Sequence, residues 1–511
     1  MSETSEKPAA GNLAHGLSAP EIAGERQMIL DQIDDNARDG RNLIRLALIS
    51  IILFIIPIFF IGLSCGDETR VAGIAAEMAI ENDYLTPKLN GTAFLEYPPL
   101  FYAAAATTFR VLGFTAFAAK LPAALSAMAG VLLIYILMRV LRRPKYESFA
   151  GAFMMATELQ YLTNAYDCRV DMMLTAFCLV VWAGFALMEF YRRGAAWRIA
   201  GMATLAVGVA GAALTKNLTG LAITLPGIAV TLAWRDLLER RFSFAAYFRL
   251  AGAVLIGMIP YAFYLWLLYG KNGAECVETL FWYNNFGRFS GSVKDHCAPW
   301  WGYWERIYEY FQPYLLLLLG GMWLQIRQWR KNRSVYGMLS LTWLVIPFLI
   351  LSVANSKRQV YLLPLAAPAA MLAASTVPYV ILGLSRKIGG KALAQLRRRA
   401  NVMIYAAAVL FALLAGAVSR HDAAKRSIAQ VFAEAEARGG SLVLVSPGER
   451  HSGAAVFYCR KVVPQQGNLE KLLPHDVALV PMSRKGEKKI PEGWSGRYFE
   501  KVKVMLLWRE Q

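Results

Sequence analysis

Long apolar runs constrain the fold of this chain more than any other feature of its sequence. Runs of about 18 or more residues with almost no charge recur along the chain, and a helix of that length can cross a bilayer. The 56% hydrophobic content and the mean hydropathy of +0.37 exceed those of soluble domains. The sequence therefore predicts a polytopic α-helical membrane protein with about 11–13 spans. We place eleven of them at residues 43–63, 118–141, 147–163, 172–191, 197–215, 218–234, 248–269, 308–326, 336–353, 360–383 and 401–419.

The basic residues predict how these spans are oriented. The net charge is +18, from 54 basic and 36 acidic residues. The positions of the basic residues in the loops account for this charge, so no nucleic-acid partner is needed to explain it. The basic residues cluster in every second loop, and the positive-inside rule assigns such loops to the cytoplasm. The loops between the clusters are therefore predicted to face outward. The clusters lie at residues 38–45, 139–145, 192–198, 235–249, 327–333 and 386–399.

Changes in composition divide the chain into three parts. Residues 1–41 are polar and mixed in charge, which is typical of a disordered cytoplasmic tail. Residues 42–419 form the predicted membrane domain, and residues 420–511 form a predicted small external α/β domain with a structural or docking role. Its pattern is a helix near 425–438, with Ile428, Val431 and Phe432 facing inward, and then the β-like runs SLVLVSP, AAVFYC, VALVP and VKVMLLW.

Two outward loops are long enough to carry chemistry. Residues 64–117 contain two predicted interfacial helices, near 68–81 and 98–113, and Asp67 is a candidate N-cap for the first. We interpret 98–113 as interfacial because a span there would reverse the orientation of every later loop. The second loop, residues 270–307, is rich in aromatic side chains that suit a membrane interface.

Five of the six cysteines fall in outward segments, where an oxidising compartment would permit disulfides. Cys276 and Cys297 flank one loop and could be bridged. Cys65 and Cys168 each lie beside a candidate site loop and could pair as well. Spacing alone does not decide between these pairings.

Carboxylates collect in the same outward segments. Asp67 and Glu68 form an acidic pair directly after the first span, able to accept a proton or bind a metal. Their structural alternative is a first helical turn in which the helix dipole favours acids. Glu96 precedes two prolines that fix the backbone, and Asp171 opens a span from its outer end. An Asp at such a position usually has a partner or a function.

Cationic side chains also lie outward, in two later loops. Arg288 stands among polar residues, and Lys357 and Arg358 precede Tyr361. Arg and Lys are natural phosphate ligands, and their structural alternative is a side chain that snorkels to the interface. Carboxylates and cations on one membrane face suggest a lipid phosphate leaving group opposite a hydroxyl or phosphate acceptor.

The first outward loop resembles a known family. The segments GDETRVAGIAAEM, NDYLTPKLNG and FLEYPPLFY are similar to the opening loop of bacterial lipid A aminoarabinose transferases. They are also similar to related polyprenyl-phosphate-sugar and mannosyl transferases. Three later motifs fall in the family's order: Arg-x-Asp at 169–171, Arg-Phe at 288–289 and Ser-Lys…Tyr-x-x-Pro at 356–364. The resemblance covers most of residues 42–370 and implies the GT-C architecture, with external interfacial helices and a C-terminal periplasmic domain.

The resemblance implies roles for the candidate residues. Asp67 corresponds to the principal catalytic or acceptor-positioning residue, and Asp171 corresponds to a second site aspartate. Glu96 matches a carboxylate that holds a metal in some members. The residues that would hold the donor phosphate are Arg288, Lys357, Arg358 and Tyr361.

Two departures from the family pattern affect these roles. Tyr97 replaces a lysine, which removes one cation that would face the phosphate. Asn285 stands where a metal-binding histidine is expected, although His296 could substitute. A divalent metal is therefore an open expectation, and no organic cofactor is expected.

The implied function is transfer of a sugar from a polyprenyl phosphate, such as undecaprenyl phosphate, to an envelope acceptor, with lipid A favoured. The enzyme would be a monomer in the bacterial inner membrane with a periplasmic site. One alternative keeps the donor and glycosylates protein. Another alternative is a transporter of lipid-linked glycans, which the clean spans and the lack of internal repeats disfavour.

Overall fold

The computed structural model describes residues 39–191, 194–287, 298–473, 475–482 and 490–509. Most of the predicted cytoplasmic tail, residues 1–38, lies outside this part of the chain. The first described helix begins at Asp39, so the last residues assigned to the tail are helical.

The described residues contain nine helical segments that are long and apolar enough to cross a membrane. This result confirms a polytopic helical membrane protein. Three of the nine are built from consecutive helices: Asp39–Ile58 includes a π-helical turn at Ile51–Ile55, Val170–Tyr191 includes one at Leu187–Tyr191, and Gln359–Leu384 combines parts of three helices. The nine segments are Asp39–Ile58, Ala116–Val140, Val170–Tyr191, Ala195–Lys216, Thr219–Glu239, Phe244–Asn272, Val335–Val353, Gln359–Leu384 and Val402–Lys425.

Two predicted spans, 147–163 and 308–326, are helical but do not belong to these nine. The first is divided at Glu158 into helices Lys145–Thr157 and Leu159–Asn164. The Glu158 side chain caps the second helix, accepting hydrogen bonds from the backbone N–H groups of Gln160 (2.9 Å) and Tyr161 (2.6 Å). The other begins late, as helix Leu315–Asn332, and its second half is polar. Both spans were predicted from the length of an apolar run in the sequence, and that length does not reveal where a helix is interrupted.

Shorter helices connect the spans and form the outer layer. Leu100–Leu112 confirms the helix predicted near 98–113. The span Gln359–Leu384 includes two short helices, Gln359–Leu365 and Ala366–Ala374, and it ends within the helical run Val377–Lys425, which also contains the last span. The remaining short helices are Asp67–Glu81, Ala274–Val277, Glu278–Gly287, Ile307–Glu309, Ala429–Ala437, Glu449–Cys459 and Leu469–Lys471.

Small residues let neighbouring spans approach closely. A Cβ atom on Gly184 would lie 2.4 Å from the backbone nitrogen of Leu205, and one on Gly201 would lie 2.4 Å from that of Met188. Helix association in membranes relies on such close packing, because lipid is as apolar as the side chains. Two buried tryptophans, Trp182 and Trp343, stack at 4.8 Å elsewhere in the core.

The C-terminal part is a small α/β domain, as predicted. Its strands are Ser441–Val445 (β3), Gln465–Gln466 (β4), Asp476–Pro481 (β5), Ser495–Phe499 (β6) and Val504–Trp508 (β7); two earlier strands, Lys88–Leu89 (β1) and Thr92–Ala93 (β2), form a separate hairpin in the first outward loop. The sheet of the domain has the order β4-β3-β5-β7-β6. Strand β3 pairs in parallel with β4 and β5, and β7 pairs antiparallel with β5 and β6.

One predicted β-like run of this domain is helical instead. AAVFYC lies in helix Glu449–Cys459, which we call the domain helix. Its small residues Ala454 and Ala455 are fully buried. The run is apolar because the helix is packed on several sides, and it does not have the alternating pattern of a strand with one exposed face. The predicted helix near 425–438 is Ala429–Ala437, and Ile428, Val431 and Phe432 are buried as expected.

Helix Asp67–Glu81, which we call the site helix, is the helix predicted near 68–81. Most of its residues are buried, including Glu77, because it lies between the helical bundle and the domain helix. Ile74, Ala75 and Met78 are all buried. Gly66 is the N-cap residue, and Asp67 is the first residue of the helix rather than its cap.

The domain helix contains a buried histidine whose surroundings predict that the domain is sensitive to acid. His451 is 2% exposed, and neither ring nitrogen has a hydrogen-bond partner. Burial, together with the nearby Arg450, lowers the pKa of His451 to about 4. Its contribution to stability is therefore present above the unfolded pKa and is lost as the pH falls from about 6.5 towards 4.

We expect the protein to lose about 2 kcal/mol of stability from this residue between about pH 7 and pH 5. Thermal unfolding of the purified protein in micelles measures the loss. His451→Leu should remove much of the difference between the two pH values, and the exposed His475→Gln is the matched control. Equal acid sensitivity in the wild type and His451→Leu would contradict the assignment.

Candidate active site

Asp67 lies at the centre of a cluster of arginines. Its Oδ2 accepts a hydrogen bond of 2.6 Å from the guanidinium of Arg358, and a guanidinium nitrogen of Arg169 lies 3.8 Å from the same oxygen. Arg70 approaches Oδ1 at 3.5 Å. The Asp67 side chain remains 27% exposed, so the carboxylate is held and still accessible.

Three separate elements bring these charges together. Arg70 lies one turn after Asp67 on the site helix, Arg169 is the N-cap residue of helix Val170–Ala186, and Arg358 precedes helix Gln359–Leu365. Each side chain therefore starts at a helix end, where the backbone is fixed by the bundle. The hydroxyl of Tyr303 donates to the carbonyl of Arg358 at 3.1 Å and fastens that segment further.

The arginines determine the charge state of Asp67. Burial alone would raise the pKa of Asp67, but the charges of Arg169 and Arg70 and the hydrogen bond from Arg358 lower this pKa below its ordinary value. The neighbouring Asp167 behaves in the opposite way, since burial and the Glu68 carboxylate raise its pKa. Asp67 is therefore ionised at neutral pH.

Glu96 joins the cluster through Arg70, whose guanidinium lies 3.1 Å from its carboxylate. The backbone of Glu96 is held as well, because its carbonyl accepts a hydrogen bond of 3.4 Å from the side chain of Asn217. The predicted fixation of this carboxylate is thus explained by an ion pair and a hydrogen bond, in addition to the prolines that follow it.

Asp171 forms a second charged pair. Its carboxylate accepts a hydrogen bond from the ammonium of Lys216, the last residue of helix Ala195–Lys216, and both side chains are buried. The ammonium also lies 4.7 Å from the ring centre of Tyr361 and 5.3 Å from that of Tyr97. Tyr97 stands at the position where the resemblance leads us to expect a lysine. Lys216, which comes from another helix, places a cation close to this position.

Glu68 points away from Asp67 into a closed environment. Its carboxylate pairs with Lys120 and accepts hydrogen bonds from the Ser64 hydroxyl (2.6 Å), the Ser64 N–H (2.9 Å) and the Cys168 N–H (3.0 Å). The two charged side chains are 3% and 1% exposed. Such an enclosed carboxylate favours a structural role over the predicted catalytic one.

The other predicted phosphate and metal ligands differ in their placement. Lys357 is close to Arg358 in sequence, but its ammonium donates to the carbonyls of Ala298 (3.0 Å) and Ala354. Arg288 and His296 lie outside the described residues. Asn285 joins two elements, accepting a hydrogen bond of 3.0 Å from the N–H of Leu218 and donating to the carbonyl of Phe281 at 2.6 Å.

The described residues around Glu96 do not by themselves form a metal site. In the described part of the chain, no three His, Cys, Asp or Glu side chains are grouped so that they could hold a metal ion. The neighbour of Glu96 is the guanidinium of Arg70, which repels a cation. We therefore derive no step through a metal.

The Cys65–Cys168 pairing, one of those that the spacing left open, is not formed, and both thiols are free. Cys168 is buried beside the Glu68–Lys120 pair, whereas Cys65 packs against the C-terminal domain. The two residues therefore face different surroundings. Cys276 is also free, and Cys297 lies outside the described residues.

Comparison with known proteins identifies a group of relatives. No family model matches the chain. The chain is 28% identical over 381 residues to undecaprenyl phosphate-alpha-4-amino-4-deoxy-L-arabinose arabinosyl transferase 2 of Proteus mirabilis, covering 74% of this chain and 66% of the relative. Transferase 1 of Pseudomonas fluorescens is 26% identical over 337 residues, covering 65% and 57%. The chain thus spans less than two thirds of the length of these relatives.

The fold is shared with a solved structure. ArnT from Cupriavidus metallidurans, crystallised with undecaprenyl phosphate, aligns with a TM-score of 0.67 and 17% identity over 87% of this chain and 94% of its own. The fold is therefore that of the GT-C membrane glycosyltransferases, as predicted. Within that class, the curated homologues are undecaprenyl phosphate-aminoarabinose arabinosyl transferases, which confirms the resemblance seen in the first outward loop.

Sequence reasoning did not assign three residues that complete the charged clusters. Arg70 follows Asp67 by one helical turn, a spacing that predicts an ion pair. Lys120 and Lys216 are lysines within or at the end of apolar spans, and an ionisable residue in such a place usually has a partner. The sequence therefore indicated that each of these residues is paired. It did not identify all of the partners, because these depend on the tertiary fold.

The Glu68–Lys120 pair yields a test of the predicted catalytic role of Glu68. Lys120→Met leaves a buried carboxylate without its counter-ion and should destabilise the protein by about 3 kcal/mol. The double variant Glu68→Gln/Lys120→Met should recover much of this loss, because it removes both charges. Chemical unfolding in micelles measures the effect. A stable Lys120→Met protein combined with a stable but inactive Glu68→Gln protein would instead support catalysis by Glu68.

Proposed function

We propose that this chain transfers a sugar from a polyprenyl phosphate, most favourably undecaprenyl phosphate, to an acceptor on the outer face of the bacterial inner membrane. The observation that carries this proposal is the accessible Asp67 carboxylate among Arg70, Arg169 and Arg358, where carboxylate and phosphate-binding chemistry meet. The names of the relatives agree with this donor, and lipid A is the acceptor that we favour.

The reaction that fits these groups is a single displacement at the anomeric carbon. An acceptor oxygen attacks that carbon, and the bond from the carbon to the phosphate oxygen breaks. The electron pair leaves with the polyprenyl phosphate. Arg358 is placed to stabilise the departing phosphate, and we retain Arg288 and Lys357 as predicted partners in this task.

The charge state of Asp67 favours one class of acceptor. A carboxylate whose pKa is lowered by three arginines is a weak base, so it is poorly suited to deprotonate a hydroxyl group. A phosphate acceptor is already ionised at neutral pH and needs orientation more than deprotonation. Lipid A offers such phosphates. We therefore assign Asp67 the task of orienting the acceptor through hydrogen bonds or through a shared arginine.

The second charged pair lines the other side of the proposed site. Asp171 holds Lys216 against the rings of Tyr97 and Tyr361, and burial raises the pKa of Tyr97 so that it stays protonated. A protonated phenol and an ammonium can both donate hydrogen bonds to an anion. This arrangement supports Asp171 as the second site aspartate and Tyr361 as a ligand of the donor phosphate.

The location of the site follows from the same proposal. The charged clusters and the C-terminal domain share one end of the bundle, and the basic loops predict that this end is periplasmic. A monomer in the inner membrane, in contact with its lipid donor and lipid acceptor, is the expected functional state.

The central test is Asp67→Asn, with Glu81→Gln on the same helix as the matched control. We expect Asp67→Asn to lower kcat by about 100-fold or more, because the acceptor loses its orienting charge. Mass spectrometry follows transfer of sugar from undecaprenyl phosphate to lipid A, in vitro and in cells with and without the gene. If lipid A is unchanged and a glycan is instead missing from protein, the acceptor is protein and not lipid A. Full activity of Asp67→Asn would contradict the role assigned to Asp67.

The pH dependence of transfer tests the arginine cluster. The lowered pKa of Asp67 should place the acidic limb of kcat/KM below the ordinary aspartate range. Arg358→Gln removes one of the groups that lower this pKa, so the limb should move to higher pH. Arg358→Lys keeps the charge and should shift the limb less. Coincident limbs in all three proteins would show that Asp67 is not the group titrating.

A further inference from the structure

The C-terminal domain touches the site helix through backbone contact. The site helix and the domain helix cross at two glycines, where a Cβ atom on Gly73 would lie 2.3 Å from the Cα of Gly453. A Cβ atom on Gly453 would lie 2.5 Å from the carbonyl of Thr69 and 2.6 Å from the Cα of Arg70. Any larger side chain at this crossing would push the two helices apart, directly behind Arg70.

Further hydrogen bonds fix the domain on the first outward loop. The Thr69 hydroxyl, two residues after Asp67, donates to the carbonyl of Arg450 at 3.1 Å. Asn90, at the tip of the β1–β2 hairpin, exchanges two hydrogen bonds with the backbone of Val463, at 2.8 and 2.7 Å. The contacts therefore determine both the distance and the angle of the domain.

Arg70 links this interface to the proposed site. One terminal nitrogen of its guanidinium donates to Glu449 of the domain helix at 2.9 Å. The other terminal nitrogen lies 3.1 Å from the carboxylate of Glu96 and 3.5 Å from that of Asp67. The ring of Phe94 lies 5.5 Å from the guanidinium carbon. One planar cation is thus shared by a carboxylate of the domain and two carboxylates of the site.

We propose that the C-terminal domain positions the site carboxylates, with Glu449 as the positioning residue that holds one edge of the Arg70 guanidinium while the other edge faces Asp67 and Glu96. This inference rests on the proposed function for its effect on activity. Without Glu449, the guanidinium is free to turn and pair fully with Asp67. That pairing withdraws the carboxylate from the acceptor.

A structural role and a positioning role differ in what they predict for Glu449. Its side chain is 57% exposed, and exposed ion pairs contribute little to stability. Loss of the pair should therefore leave the folded state intact. A small displacement of a catalytic group, in contrast, lowers the rate strongly.

The experiment measures kcat, KM for the donor and the melting temperature of full-length Glu449→Gln in micelles. We expect kcat to fall about tenfold, with KM and the melting temperature close to the wild-type values. Glu449→Asp, which keeps the charge, should recover part of the loss. The matched control is Glu434→Gln, because Glu434 pairs with Arg438 and Arg497 within the same domain. An unchanged kcat, or a fall in kcat that follows a fall in melting temperature, would overturn the inference.

A second readout does not depend on catalysis. Gly453→Ala separates the two helices without changing charge, and Glu449→Gln releases Arg70 without changing the crossing. Both variants should speed hydrogen exchange at the backbone amides of residues 67–71 by about tenfold relative to Glu434→Gln, because the first turn of the site helix loses a contact. Exchange equal to that of the control would overturn the inference.

The two readouts separate the failure of this inference from the failure of the proposed function. Wild-type turnover with unchanged kcat in Glu449→Gln would overturn the positioning role alone. Absence of turnover in the wild type, with undecaprenyl-phosphate-linked sugar and lipid A supplied, would overturn the proposed function. In that case faster exchange in both variants would still support the positioning of Arg70 by the domain.

Discussion

A charged side chain that is buried away from water needs a partner of opposite charge. The structure around the site depends on this constraint at Glu68. The buried pair with Lys120 fixes the first turn of the site helix to the membrane bundle. Asp67, one residue earlier, points in a different direction because successive residues on a helix are about 100° apart. One helical turn therefore carries one acid that is closed and paired and another that is accessible. The accessible acid can act on a substrate because the closed acid holds the helix.

The same division recurs on the other side of the site. Asp171 and Lys216 form a buried pair between two tyrosine rings, and this pair holds two spans in register. The arginines near Asp67 lie between these two closed pairs and retain some exposure to water. Closed pairs thus determine the geometry, and the partly open cluster supplies groups that can meet a phosphate. This arrangement explains why acids and cations so close together in sequence have different tasks.

The sequence predicted the features that depend on local pattern. Apolar length predicted the spans, and short apolar β-like runs predicted β3, β5 and β7, because a segment buried in a membrane or in a sheet is continuously apolar. Pattern failed where tertiary contacts decided the outcome. AAVFYC is apolar because a helix is buried on several sides, and the site helix is buried because a domain covers it. Arg70 and Glu449 are 379 residues apart, so no local pattern could pair them.

The geometry of Asp67 also bears on what the C-terminal domain contributes to the site. A carboxylate among three arginines is a poor base, so its value lies in where it points rather than in its affinity for a proton. Orientation requires rigid support, yet the site helix has the bundle on one side only. The domain helix supplies the other side through contact at Gly73 and Gly453, where the backbones themselves touch. A domain without a catalytic motif of its own can therefore contribute to the chemistry by completing the support of Asp67.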